Sequence, residues 1–407
     1  MLIAGEASGD LLAAELVHAL RPCLAEYEAR PTDDVQPLRT SLAPKFFGAG
    51  GPQMAAAGVE LAFDLTQYSV TGISDVLKNY FKFRRLFGQL LKLAIERQPD
   101  AIIGVDYGGF NLRFGHAIKQ YVRSHSGIFQ GWNPKIIQFV SPQVWASRPG
   151  RANLLAADYD LLLSIFPFEK EWYARRVPKL RVEFVGHPMI GRFTPGGTRS
   201  TASQNSNNHR ESRDAVERVP PILLLPGSRT DELRRHLPVM LEALKLIRAR
   251  QPEVQAKLVL PNDALAQEAK SSGTPPDVAI QVGNLPQALS QANLAIAKTG
   301  TVAMECAYFG VPTVTLYKTS WSSFQIAKRI VSVKSLTMPN LLANETVFPE
   351  FLQNAATPDN IARAALELLN DDARRMHIKT RLAEIVASLG GPGASRRAAE
   401  AIVGLLP

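Results

Sequence analysis

The chain has 407 residues, 46% hydrophobic and 20% charged, with a formal net charge of +9. This is the composition of a soluble globular protein with room for about two or three domains. No apolar run reaches the roughly 18–20 residues of a bilayer span and no basic leader is visible, so a cytoplasmic location is expected. Cys23 and Cys306 alone exclude a disulfide framework or a cysteine zinc site, while the positive charge favours nucleic acid, phosphorylated substrates or an acidic membrane surface.

MLIA reads as a short strand that breaks at Gly5-Glu6-Ala7-Ser8-Gly9-Asp10 into a helical segment over 10–20. The glycines permit tight backbone geometry, and Ser8 or Asp10 can cap the helix. A cap leaves Glu6 unexplained, a carboxylate at the mouth of a sheet, so Glu6 and Ser8 are expected to face a ligand. The stretch is not GxGxxG, and GAGG at 48–51 is an equally weak dinucleotide signal.

The next helical segment is 76–97. In VLKNYFKFRRLFGQLLKLA (76–94), Lys78, Lys82, Arg85, Gln89 and Lys92 share one face at about 100° per residue; Val76, Tyr80, Phe83, Phe87, Leu90 and Leu91 share the other. The stretch holds no acid. One reading is a basic amphipathic helix on an anionic interface, with Lys78, Lys82, Phe83, Arg85, Phe87 and Lys92 facing the membrane; the other is an ordinary helix with a solvated basic face.

Buried-strand patterns follow: AIIGV (101–105), KIIQFV (135–140), DLLLSIF (160–166) and VEFV (182–185), then ILLL (222–225), AKLVL (256–260), NLAIA (293–297) and TVTLY (313–317). Helical segments at 232–250 and 301–309 lie among the second set, and 358–405 is helical in period. Apolar strands alternating with helices mean parallel sheets covered on both faces. Two such sets predict an α/β protein of two doubly wound, Rossmann-like domains, 1–193 and 220–407. The polar stretch 194–219 is a flexible linker, poor in the large apolar residues that fold a chain. The helices from about 358 either stay with the second domain, cross to the first, or exchange with a partner subunit.

Ligands of such sheets sit beyond the carboxyl ends of the strands. There the first set carries Asp106, placed as a general base whose pKa partial burial would raise. It also carries Trp145 and Arg148, which suit either a ligand or, for Trp145, the core. In the second set, Gly227, Ser228 and Arg229 precede one helix and Thr299, Gly300 and Thr301 another, both anion-ready starts; Glu305, one turn further, can accept from ribose hydroxyls. Together they favour a nucleoside diphosphate, and the absence of GxxxxGK[ST] excludes a Walker P-loop.

GEASGD, FFGAGGPQM (46–54), VTGISDVL (70–77), VDYGGFNLRF (105–114), VSPQVWASR (140–148), FPFEKEWY (166–173), FVGHPM (184–189), LPGSRTDEL (225–233), TGTVAMECAYFGVPTVTLYK (299–318) and MPNLLANETVFPEFLQ (338–353) together resemble the ordered motifs of the lipid-A-disaccharide synthase family. The resemblance implies an inverting glycosyltransferase of the two-Rossmann GT-B type, its domains facing across a cleft. It implies transfer of 2,3-diacylglucosamine from its UDP derivative to the 6-hydroxyl of 2,3-diacylglucosamine 1-phosphate (lipid X), giving the β-1,6 disaccharide phosphate and UDP. By the same resemblance Asn340 joins Asp106, Glu6 and Ser8 as an active-site residue. Gly108-Gly109 stand where the family usually has Pro-Asp, Thr299 for a usual Ser, and Lys298 for a usual small residue.

No cofactor or metal is expected, since Arg229 and two helix N-termini can stabilise the leaving diphosphate. The DxD at Asp158-Tyr159-Asp160 opens a strand instead of following one. The expected partners are the two lipid substrates and the anionic inner face of the inner membrane, with a homodimer as one option and no nucleic acid. Two rivals remain: another UDP-sugar enzyme of this fold, such as a peptidoglycan glycosyltransferase or an epimerase, and a non-catalytic nucleotide-binding protein.

Overall fold

The structure is a computed structural model that describes residues 1–29, 44–68, 80–125, 127, 131–193 and 221–406. The stretch 194–219 and Lys78 lie outside the described residues. The chain divides into two compact units, Met1–Gly191 with Leu389–Pro407, and Arg192–Ser388.

The first unit holds a seven-stranded sheet of β1 (Leu2–Ala4), β2 (Phe47–Gly50), β3 (Glu60–Asp64), β4 (Ala101–Val105), β5 (Lys135–Phe139), β6 (Leu161–Ser164) and β7 (Val182–Phe184), ordered β3-β2-β1-β4-β5-β6-β7. The pairs are parallel. The second unit holds β8 (Ile222–Leu225), β9 (Ala256–Leu260), β10 (Ala279–Val282), β11 (Leu294–Lys298), β12 (Thr313–Tyr317) and β13 (Glu350–Leu352), ordered β10-β9-β8-β11-β12-β13 and again parallel. These are the two doubly wound sheets expected. Their central strands are apolar throughout because helices cover both faces: Ile222, Leu223 and Leu224 are at most 1% exposed. Each such side chain contributes about 1.5–3 kcal/mol by leaving water.

In both sheets the order reverses beside the first strand, between β1 and β4 and between β8 and β11. These are the switch points at which α/β sheets open a crevice. The helices Pro358–Asn370 and Asp372–Ser388 remain with the second unit, and only the chain from Leu389 returns to the first. There the helix Ala394–Val403 packs on the helix Ala7–Glu28, burying Ala398, Ala399 and Ile402. Arg397 fastens this return, its Nε donating to the Val185 carbonyl at 2.8 Å and its other nitrogens to Pro392 and Gly391. No helix among the described residues is long and apolar enough to cross a membrane.

Asp10 does not cap its own helix. Ala7–Glu28 begins at Glu6 without a side-chain cap bond, and the Asp10 carboxylate instead accepts from Gly51, Gln53 and Met54 N–H at 2.7, 2.9 and 3.1 Å. It thus caps the neighbouring helix Pro52–Ala56. Trp145 belongs to the core, where its Nε1–H donates to Glu169 Oε1 at 2.9 Å. Glu169 is fully buried, and burial pushes its pKa up to about 7 from an ordinary 4.5, against the bonds from Trp145 and Ser141.

An acid with a raised native pKa favours the protonated folded state. Its stability contribution is full below about pH 4.5 and is lost as pH climbs to about 7, at up to about 1.4 kcal/mol per pH unit. Thermal melts across that window should show Glu169→Gln losing less stability with rising pH than the parent; parallel curves would mean the carboxyl titrates normally.

Candidate active site

In the first unit the helix Gly108–His125 follows β4, and between them Asp106 and Tyr107 both take left-handed backbone, with φ of 51° and 46°. Beside them, just past β5, Val140 does the same at φ 66°, an unusual geometry for a β-branched residue. Three strained residues on adjacent strand ends persist only if something holds them. The amides of Gln138 and Asn111 do so. Gln138 Nε2 donates to the carbonyls of Asp106, Val140 and Phe139 at 2.8, 3.2 and 3.3 Å, and Asn111 Nδ2 donates to Asp106 O at 2.8 Å. Both residues are buried, and their own amide oxygens have no hydrogen-bond partner among the described residues.

The clamp leaves the Asp106 side chain half-buried at the strand end. Burial raises its pKa, the Glu6 charge raises it further, and the Tyr107 N–H opposes both. Glu6 and Asp106 are therefore brought together, as is the rest of the first loop. A side chain on Gly5 would run into the Tyr107 ring at 2.3 Å, and one on Gly9 would lie 3.5 Å from Asp106 Cβ. The first glycine admits the Tyr107 ring. Ser8 is exposed in the first turn of its helix.

In the second unit, β8 runs through Pro226-Gly227-Ser228-Arg229 into the helix Thr230–Arg248. Its neighbour β11 runs through Thr299-Gly300 into the helix Thr301–Tyr308, so the two loops are adjacent. Gly227 has φ 128°, where a side chain would be strained and would meet the Glu232 carboxylate at 2.4 Å. That carboxylate lies in the loop: Ser228 N–H donates to Oε2 at 3.0 Å, Lys298 Nζ lies 2.8 Å from Oε1 and Arg229 Nη1 4.0 Å. Burial pushes the Glu232 pKa up, but the Lys298 charge and the bonds from Lys298 and Ser228 outweigh it and the carboxyl titrates low. The loops thus present a backbone donor and two cations to one anionic group.

His236, buried, links this loop to the end of β12. Lys318 N–H donates to its Nε2 at 3.0 Å, so Nδ1 carries the proton and donates to Pro226 O at 3.0 Å. Glu305 is half-buried on its helix; burial raises its pKa and Arg192 opposes the rise.

Two expectations change, those for Asn340 and Phe87. Asn340 is not aimed at a ligand, because its amide accepts from Phe348 N–H and donates to Phe348 O, both at 2.8 Å. It is a backbone clamp, and a sequence motif does not distinguish the two roles. Phe87 faces inward, its ring packed edge-on against Phe110 and Phe114 at 5.4 and 5.6 Å. Phe83 is half-buried, whereas Lys82, Arg85 and Lys92 are exposed on the helix Tyr80–Arg97. The aromatic on their side is Phe81, 80% exposed, which falls by helical spacing among Arg84, Arg85 and Lys92. Asp158 and Asp160 are both engaged by the helix Gly108–His125, Asp158 with His116 Nδ1 at 2.7 Å and Arg123 at 3.3 Å, Asp160 with Lys119 at 3.0 Å. Gln138, Glu232 and His236 were missed; Gln138 and His236 sit inside a strand and a helix, where only an unexpected polar residue could have marked them, and Glu232 reads as an ordinary first-turn acid.

A family model described as lipid-A-disaccharide synthetase matches residues 1–403. The chain is 35% identical to the lipid-A-disaccharide synthase of Trichlorobacter lovleyi (strain ATCC BAA-1151 / DSM 17278 / SZ) and 34% identical to that of Myxococcus xanthus (strain DK1622), in both cases over 100% of this chain and 97% of the relative. Among solved structures it resembles S. aureus MnaA in a co-structure with UDP at TM-score 0.58 and 14% identity, covering 99% of this chain and 95% of that one. It also resembles CalG4, the calicheamicin glycosyltransferase, at TM-score 0.56 and 14% identity, covering 99% and 97%.

Gln138→Leu removes one donor from three carbonyls at buried or partly buried positions and should cost about 1–3 kcal/mol, read as a lowered melting temperature. Gln138→Glu should behave like the parent only at acid pH, where the introduced carboxyl is protonated and can donate, and should lose stability as pH rises. A Gln138→Leu protein that melts with the parent would remove the clamp.

Proposed function

The chain belongs to the lipid-A-disaccharide synthase family, and from that premise we propose that it performs the family's sugar transfer with a base on the first unit and a nucleotide seat on the second. The activity itself, lipid-A-disaccharide synthesis within lipid A biosynthesis, follows from full-length membership. The reading of how the chain does it concerns Asp106, Glu6, the Gly227–Arg229 and Thr299–Thr301 loops and Glu305.

Transfer with inversion is a single in-line displacement. The acceptor 6-hydroxyl of lipid X attacks the anomeric carbon of UDP-2,3-diacylglucosamine, the bond to the UDP oxygen breaks, and the hydroxyl proton must go to a base. Asp106 is that base, and the observation that carries it is its half-buried carboxyl, fixed on strained backbone at the end of β4 with its pKa raised by burial and by Glu6. A base poised above the ordinary carboxylate range takes a proton more readily near neutrality. The leaving diphosphate gains negative charge, and the Ser228 N–H, Lys298, Arg229 and the helix start at Thr301 supply the opposing field. The way Glu232 is already held there supports this seat, since a carboxylate oxygen asks for the same donors as a phosphate oxygen. Glu305 receives the ribose.

Both substrates carry acyl chains, so the enzyme works at an anionic inner-membrane surface. The helix Tyr80–Arg97 supports that contact with exposed Phe81 among Lys82, Arg84, Arg85 and Lys92. The second unit has a similar pairing, Trp321, 75% exposed, on a helix with exposed Lys328 and Arg329.

Asp106→Asn should cut turnover by ~10²–10⁴ while leaving affinity for the UDP-sugar within a few-fold; near-normal turnover would take the role from Asp106. Glu6→Gln removes a neighbouring negative charge, so the acid limb of the kcat profile should move to lower pH, and an unmoved limb would separate Glu6 from the base. Arg229→Ala should weaken UDP binding roughly ten-fold or more, as loss of a charged hydrogen bond does, measured by calorimetry; unchanged affinity would place the diphosphate elsewhere.

A further inference from the structure

Several arginines in this protein are matched to acids: Arg97 to Glu60, Arg123 to Asp158, Arg181 to Glu183, Arg234 to Glu268 and Arg248 to Asp277. Arg113, Arg148 and Arg151 are not. None of the three has a carboxylate partner among the described residues, and each lies close to the ligand end of the first sheet. Arg113 is exposed on the helix Gly108–His125, about 7–8 Å along its axis from the first residue after the Asp106 turn. Arg148 and Arg151 bracket the turn Pro149–Arg151 beyond β5, with Arg151 N–H bonded to Arg148 O at 2.9 Å.

Both sides of this arrangement are held. Trp145, three residues before Arg148, is fixed in the core by Glu169. Arg151 stands just before the helix Ala152–Asp158, which packs on the helix that carries Arg113. Arg151 feels both of the other charges: burial lowers the pKa of this half-buried residue, and the Arg148 and Arg113 charges lower it further. Gathering like charges with no carboxylate beside them costs free energy, and an anion bound among them offsets that cost.

We propose that Arg113, Arg148 and Arg151 form the seat of the acceptor's phosphate monoester, one sugar ring away from the hydroxyl that Asp106 deprotonates. This rests on the reading of Asp106 as the base for lipid X. A phosphate monoester is close to a dianion at neutral pH with three acceptor oxygens, and guanidinium groups bind such oxygens in pairs. The seat lies on the unit that carries the base, while the UDP diphosphate has its own donors on the other. A phosphate on the acceptor is thereby recognised separately from the phosphates that leave. The same cations would also attract phosphate in a lipid headgroup, and the experiment separates these sources.

Glucosamine 1-phosphate and glucosamine are titrated into the parent enzyme and into Arg148→Gln, Arg151→Gln and the combined Arg113→Gln, Arg148→Gln, Arg151→Gln variant, each checked by thermal melt. The parent should prefer the phosphorylated sugar, and the combined variant should lose roughly 10- to 100-fold of that preference. In turnover assays, KM for lipid X should rise while KM for the UDP-sugar stays within a few-fold. The discrimination between lipid X and its dephosphorylated counterpart should fall in step. Inorganic phosphate should compete with lipid X in the parent and much less in the variant. A parent that binds both sugars alike, or a normally melting variant that keeps the full preference, overturns the proposal. So does a variant that keeps the preference and loses only its binding to vesicles containing phosphatidylglycerol, which would assign the cations to headgroups. Asp106→Asn tells the two readings apart: it should cut turnover by ~10²–10⁴ and leave the preference for glucosamine 1-phosphate intact.

Discussion

The first unit depends on one carbonyl oxygen. Asp106 O accepts from Gln138 and from Asn111, and the backbone around it is in a conformation that few residues adopt unaided. Two successive left-handed residues turn the chain sharply at the end of β4, so the Asp106 carboxyl meets Glu6, and the Tyr107 ring occupies the room that Gly5 leaves. Without the two amides the turn would relax toward an ordinary strand-to-helix connection, and the carboxyl would swing with it. The glycines of the first loop, the buried amides of β5 and the following helix, and the position of the carboxyl are therefore one construction.

The second unit solves a comparable problem by charge. Its loops bring Ser228 N–H, Lys298 and Arg229 toward a single point, and Glu232 keeps these donors satisfied there. His236 fixes the spacing between the β8 and β12 ends through two backbone bonds that only the neutral imidazole can make together. Strain held by amides in one unit and charge held by a carboxylate in the other both amount to preorganisation: the cost of arranging the groups is met in folding.

The central strands were legible because burial on both faces leaves no other composition: AIIGV, ILLL, AKLVL and TVTLY fall on β4, β8, β9 and β12 residue for residue. The strands missed were β2, β3, β10 and β13. Phe47–Gly50 carries two glycines and reads as a turn, and the other three lie at sheet edges, where exposed residues break the apolar pattern. Candidate site residues were visible where a motif breaks a strand, as at Asp106 and Arg229. What stayed hidden was direction: helical periodicity sets Phe83 and Phe87 on one face, and only packing tells that Phe87 points inward while Phe81 points out. The sequence likewise does not show what the DxD carboxylates do, since the partners of Asp158 and Asp160 lie some forty residues earlier in the chain.

The return of the chain from Leu389 to the first unit has a bearing on biosynthesis. During translation the helix Ala7–Glu28 emerges early, but the helix that covers it, Ala394–Val403, appears only after the whole of Arg192–Ser388 has been made. The second unit is continuous in sequence and can complete its core on the ribosome. The first must wait, with the positions that Ala398, Ala399 and Ile402 will cover still open to water. The half of the molecule made first is thus the half finished last.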